Sequence, residues 1–141
     1  MPNYVVDTSV AVKWFVAEPL RKEAVELGRS GAGLIAPDLI VLEVGNVAWT
    51  KVRTGQMLHA QAEFVAGVIP KYFSALVPSA EISVAAFQIA SDLDHPVYDC
   101  AYLAVAARFN AVLVTADRRL LSKATNSPYN HLVHDLARPL P

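Results

Sequence analysis

Asp7, Glu43, Asp99 and Asp117 are four carboxylates set in otherwise apolar stretches. Asp7 ends the run Tyr4-Val5-Val6 and precedes Thr8-Ser9, while Asp117 follows Ala111-Val112-Leu113-Val114-Thr115. Glu43 lies among Leu39, Ile40, Val41, Leu42, Val44 and Val47; Asp99 precedes Cys100-Ala101-Tyr102-Leu103-Ala104-Val105-Ala106. A carboxylate at the end of a buried strand or inside an apolar helix is costly unless its charge is compensated. Several such groups cannot stay ionised together without cations. Hard divalent ions such as Mg²⁺ and Mn²⁺ take oxygen ligands and meet that need.

Each residue also has an ordinary explanation. Asp7 and Asp117 suit helix N-caps. Asp99 falls in a first helical turn, where the helix dipole favours an anion. Glu43 fits a helix edge, with Asn46 one turn on to orient it. Ser9 and Thr115 carry hydroxyls beside Asp7 and Asp117. The conjunction favours one site, because these four of the 13 acidic residues map to one rim of one sheet. Others, such as Glu23, Glu26 and Glu63, fall on mixed-polarity helix faces.

That rim follows from the element pattern. Apolar runs predict strands at 3–6, 34–36, 75–77, 111–115 and 132–134. Between them lie helices at 8–17, 19–29, 37–54, 58–69, 79–92, 97–109 and 117–123. Pro19 and Pro37-Asp38 read as helix starts, Pro70 as a stop, and Gly55 as a C-terminal cap. Short, continuously apolar strands alternating with helices predict an α/β fold: a mostly parallel five-stranded sheet covered on both faces. Ligands of such sheets bind beyond the carboxyl ends of the strands. Asp7 and Asp117 sit at two such ends.

Composition bounds the function. A chain of 141 residues suits one domain, spanning 1–141. It is 54% hydrophobic and 18% charged, with mean hydropathy +0.33. That is apolar for its size and predicts surface buried against another chain. No apolar run reaches the ~20 residues of a membrane span. The segment Met1-Pro2-Asn3-Tyr4 lacks the basic region of a secretory leader. The single cysteine, Cys100, excludes an internal disulfide, and the expectation is a reducing cytoplasm.

A net charge of −1 and a pI near 6.4 exclude a protein that coats nucleic acid nonspecifically. They leave room for a nucleic-acid enzyme with local cations. Arg118, Arg119 and Lys123 follow Asp117, Lys13 follows Asp7, and Lys51 and Arg53 follow Glu43. His131 and His134 would face opposite sides of a strand, His95-Pro96 reads as loop punctuation, and Cys100 as a small core residue. Gly28, Gly31 and Gly33 lack the context of a phosphate loop and read as breaks before the second strand.

At the acidic residues the chain resembles PIN-domain ribonucleases, specifically the VapC-type toxins of toxin–antitoxin pairs. The resemblance rests on Val5-Val6-Asp7-Thr8-Ser9-Val10, Leu42-Glu43-Val44-Gly45-Asn46, His95-Pro96-Val97-Tyr98-Asp99-Cys100-Ala101-Tyr102-Leu103-Ala104 and Leu113-Val114-Thr115-Ala116-Asp117. It implies a three-layer α/β/α PIN-like fold and Mg²⁺- or Mn²⁺-dependent hydrolysis of RNA phosphodiesters. Asp7 and Asp99 would be direct ligands; Glu43 and Asp117 would complete the shell, hold a second ion or orient water. Arg118, Arg119 and Lys13 are the candidate RNA contacts. The resemblance also points to a cognate antitoxin and to a homodimer.

Two rival readings remain at this level. One is a phosphoryl-transfer enzyme of the haloacid-dehalogenase type with Asp7 as nucleophile, although its expected second Asp is Ser9 here. The other is a catalytically silent domain that binds only RNA or protein.

Overall fold

The computed structural model describes residues 3–141. The expectation for the N-terminal segment falls partly on residues 1 and 2, outside the described residues. Five strands form one sheet: β1 (Asn3–Val6), β2 (Gly33–Pro37), β3 (Ala75–Val77), β4 (Val112–Thr115) and β5 (Val133–Asp135). The order is β3-β2-β1-β4-β5 and every pairing is parallel. Seven α-helices connect them: α1 (Thr8–Ala11), α2 (Arg21–Arg29), α3 (Leu39–Arg53), α4 (His59–Val68), α5 (Ser79–Leu93), α6 (Val97–Arg108) and α7 (Arg118–Thr125).

The chain steps one way from β1 to β3, then crosses back to β4 and on to β5. Right-handed crossovers therefore put α1–α4 on one face and α5–α7 on the other. The result is the three-layer α/β/α arrangement. Strand order reverses at β1, so the carboxyl end of β1 is the topological switch point where such sheets bind ligands.

Burial follows the residue types. Val5, Val6, Leu113 and Val114 are fully buried in the two central strands. Helix α6 is apolar nearly all round, and Cys100 through Ala106 are all buried. Its small residues let it lie against β1, β2 and β4 on one side and α5 on the other. Arg108 and Glu81 tie α6 to α5 at 2.8 Å. No helix among the described residues is long and apolar enough to cross a membrane.

Several boundaries depart from the pattern for local reasons. The helix expected over 8–17 ends at Ala11 and tightens into a 3₁₀ turn, Val12–Trp14. There the Trp14 Nε1 donates to the Ala24 carbonyl at 2.9 Å, and its ring stacks on Tyr72 at 4.6 Å. The next helix starts at Arg21, not Pro19, because Leu20 takes a left-handed conformation at φ 67°. Gly28 is no break: it lies within α2, where a Cβ would come within 3.3 Å of Trp14 Nε1. Pro37 belongs to β2, and the Asp38 amide extends the pairing by donating to the Val77 carbonyl at 2.8 Å. Pro70 is the second residue of a 3₁₀ turn, Ile69–Tyr72, into which α4 runs at its end. Gly55, at φ 75°, does close α3 in the conformation that suits glycine.

Candidate metal centre

The site begins with strand register. Val6 of β1 lies opposite Val114 of β4, which sets Asp7 beside Thr115 at the ends of the two central strands. Thr115, fully buried, donates its hydroxyl to Asp7 Oδ2. Ser9 donates to Asp7 Oδ1, and the Val10 amide donates to the same oxygen at 3.3 Å as an N-cap. The capping role of Asp7 is therefore observed, in a carboxylate whose two oxygens both face donors.

Asp7 is buried, and that burial raises its carboxyl pKa from 3.8 to about 6. The charge of Asp117 pushes the same way, while the bonds from Ser9, Thr115 and Val10 oppose the shift. This is a carboxylate whose negative charge is undercompensated by the protein alone.

Ser9 and Thr115 also shape the neighbouring loop. The Ser9 hydroxyl accepts from the Ala116 amide and the Thr115 hydroxyl from the Asp117 amide, both at 3.0 Å. Asp117 caps α7: its Oδ1 accepts from the Arg119 amide at 3.0 Å and the Leu120 amide at 3.1 Å. The second oxygen of Asp117 is not used in the cap.

Asp99 lies in the first turn of α6, the helix layer that also holds α7. Its Oδ2 pairs with His95 Nε2 at 2.7 Å. One ligand atom each from His95, Asp99 and Asp117 lie within 4.8 Å of one another. His95 is thus no loop punctuation but a buried member of the cluster. Its spacing of four residues before Asp99 was the available signal.

Glu43 projects from α3 and is half-buried. Thr8 donates to its Oε1 at 3.0 Å, and the Tyr102 hydroxyl donates to the same oxygen. Burial, together with the Glu43 charge, drives the Tyr102 hydroxyl pKa far upward, so Tyr102 stays a proton donor. The expected orienting residue, Asn46, is exposed; among the described residues the side-chain partners of Glu43 are Thr8 and Tyr102. Thr8 adjoins Asp7, and Tyr102 lies one turn past Asp99, but neither spacing distinguishes them from packing residues.

The candidate RNA contacts differ among themselves. Lys13 is buried and approaches Glu18 at 3.4 Å, so a phosphate there would have to displace that carboxylate. Arg118 pairs with Asp135, which holds the Asp135 carboxyl below its usual range. Arg119 is exposed and lies next to the site. His131 and His134 fall in different elements, a 3₁₀ turn (Asn130–Leu132) and β5. Cys100 is buried, and burial raises its thiol pKa to about 11, so it is an inert core thiol.

The donor set suits a hard cation. The group of His95, Asp99 and Asp117 offers two carboxylates and one ring nitrogen; Asp7 and Glu43 are not in it, and Asp7 stands as a buried acid raised by its burial and, last, by the charge of Asp117.

Comparison with known proteins agrees with this geometry. The family model for the PIN domain matches residues 4–126. Ribonuclease VapC3 of Pyrobaculum aerophilum is 33% identical over 121 residues, covering 84% of this chain and 92% of that protein. The crystal structure of PAE2754 from Pyrobaculum aerophilum superposes with a TM-score of 0.69 at 25% identity, over 96% of this chain and 85% of that one. VapC20 of Mycobacterium tuberculosis, a sarcin–ricin loop cleaving toxin, shares the fold with a TM-score of 0.60 at 16% identity, over 77% and 84% of the two chains.

Proposed function

The chain belongs to the PIN-domain family, and we propose that it is a divalent-cation-dependent endoribonuclease and the toxin of a toxin–antitoxin pair. The observation that carries this reading is the meeting of Asp99, in the first turn of α6, and Asp117, the N-cap of α7, with His95 inside 4.8 Å. Likeness to Ribonuclease VapC3 supports the activity, and the toxin VapC20 shares the fold.

Asp7, Asp99 and Asp117 would hold Mg²⁺ or Mn²⁺. When bound, the cation supplies Lewis acidity toward a phosphate oxygen and lowers the pKa of a coordinated water. Ser9 and Thr115 hold the Asp7 carboxylate in place between β1 and β4. Glu43, clamped by Thr8 and Tyr102, orients the attacking water and takes its proton. Arg119 supplies a cation for the flanking RNA backbone. The substrate is RNA presented as a single strand or loop, where bases and backbone are open to a rim site.

A phospho-aspartate route fits less well. Asp7 is buried with both oxygens accepting hydrogen bonds, an unsuitable setting for an attacking nucleophile.

Two partner surfaces complete the proposal. A cleft of about 520 Å³, lined by Phe15, Val16, Met57, Ala60 and Phe64, suits an apolar antitoxin segment whose basic side chain neutralises the carboxylates. Leu42 and Trp49 are 80% and 55% exposed on α3, consistent with a homodimer. A reducing cytoplasm suits the lone buried thiol and a soluble RNA substrate.

The test is induced expression in a bacterial host, alone and with the product of the adjacent small gene. Growth arrest with new internal RNA ends, both relieved by the partner, is expected. Arrest without RNA cleavage would overturn the ribonuclease reading, and arrest indifferent to the partner would overturn the pairing.

A further inference from the structure

The His95 side chain is only 2% exposed, yet its Nδ1 has no hydrogen-bond partner among the described residues. A buried ring with one orphaned nitrogen needs an explanation. Backbone constraints hold it there. Asp94 closes α5 in a left-handed conformation at φ 52°, and the His95 amide donates to the Ala90 carbonyl at 3.2 Å. Cys100 Sγ donates to the His95 carbonyl at 3.8 Å, and Lys123 bonds the Asp94 carbonyl from α7. Pro96 then leads directly into α6.

All of this fixes Nε2 at 2.7 Å from Asp99 Oδ2. A carboxylate accepts only, so Nε2 carries the proton of this bond. Among the described residues Asp99 is the one side-chain partner of the ring. Asp99 itself is 35% exposed and would otherwise sample several rotamers.

We propose that His95 is a positioning residue for the cation site: it donates Nε2–H to Asp99 and locks that carboxylate toward the ion shared with Asp117. The inference rests on the metal-dependent reading of the same rim. His95 does not ligate the ion. Its role is to remove the rotamer freedom that Asp99 would lose on binding, as groups orienting metal ligands do.

Two measurements test it. Mn²⁺ binding is titrated by paramagnetic resonance in the intact chain, in His95→Phe and in His95→Gln. Glutamine keeps an N–H donor near the Nε2 position; phenylalanine keeps only the ring. The expected result is Mn²⁺ affinity weaker by about 10–100-fold in His95→Phe and largely recovered in His95→Gln. Equal affinity in all three overturns the proposal while leaving the metal site standing. Nitrogen NMR of the histidine-labelled intact chain saturated with Mg²⁺ needs no variant. A protonated Nε2 on His95 is expected, and a bare Nε2 would overturn the assignment. If the intact chain binds no Mn²⁺, the metal reading and this proposal fall together. If it binds Mn²⁺ but cleaves no RNA, only the ribonuclease reading falls.

Discussion

Tyr102, on α6, donates its hydroxyl proton to the carboxylate of Glu43, on α3. The two helices belong to opposite layers, so this bond joins both faces of the sheet at the carboxyl end of β1. A buried phenol that cannot ionise is a fixed donor, and it holds Glu43 at the rim while Thr8 grips the same oxygen.

Tyr102→Phe should therefore lower RNA cleavage by about 10–100-fold, the scale of losing a partner that orients a group at a metal site. The fold should survive, with a cost of about 1–2 kcal/mol for the missing bond to a charged group. Cleavage rates and urea unfolding of the same preparation separate the two effects. Full activity in the variant would show that Glu43 needs no such clamp.

Asp7 makes the stability of the metal-free protein depend on pH. Its folded pKa of about 6 lies above the ordinary 3.8. The folded state then holds its proton more tightly than the unfolded chain does. The resulting stability is full below the ordinary value and is lost as pH rises through about 6, by about 3 kcal/mol. Asp7→Asn removes that loss while keeping the N-cap geometry. In chelator, the variant should resist urea better than the natural chain near neutral pH, with the advantage shrinking toward pH 4. The same variant should cleave no RNA.

Divalent ions should raise the thermal midpoint, because they bind the folded rim and relieve the Asp7–Asp117 repulsion. An ion at a hundred times its Kd stabilises by about 2.7 kcal/mol through mass action. Calorimetry with and without millimolar Mn²⁺ reads this directly. The gain should shrink in Asp99→Asn and in Glu43→Gln, and a midpoint indifferent to Mn²⁺ would count against a preformed site.

In solution the chain should sediment as a dimer of its 15.3 kDa subunit. Leu42 and Trp49 present apolar area along α3, with Arg53 lying over the Trp49 ring at 4.9 Å. Replacing both Leu42 and Trp49 by Asp should give a folded monomer. A monomer mass for the unaltered chain at micromolar concentration would contradict the dimer.

Much of this was legible in the residues. The five strands follow from apolar runs, and the rule that parallel sheets bind at strand ends points to the rim where Asp99 and Asp117 meet with His95. Register explains why Ser9 and Thr115 could be named too, since both lie within two residues of Asp7 or Asp117. Tertiary contacts decided what local pattern could not. Trp14 shortens its helix because its indole reaches Ala24 and Tyr72, which no short-range period records. Tyr102 and Thr8 look like packing residues until α3 brings Glu43 to them. His95 precedes a proline and reads as a loop residue, yet a left-handed Asp94 turns it inward. Lys13 adjoins the site in sequence but is drawn toward Glu18 instead.

The most direct test of the account is cleavage of purified RNA by the purified chain, run with Mg²⁺ or Mn²⁺, with chelator, and with Asp99→Asn. Internal cleavage that needs the cation, stops in chelator and is lost by at least about 100-fold in the folded Asp99→Asn variant is the predicted result. Cleavage that continues undiminished in chelator, or in Asp99→Asn, would contradict a mechanism built on this carboxylate rim.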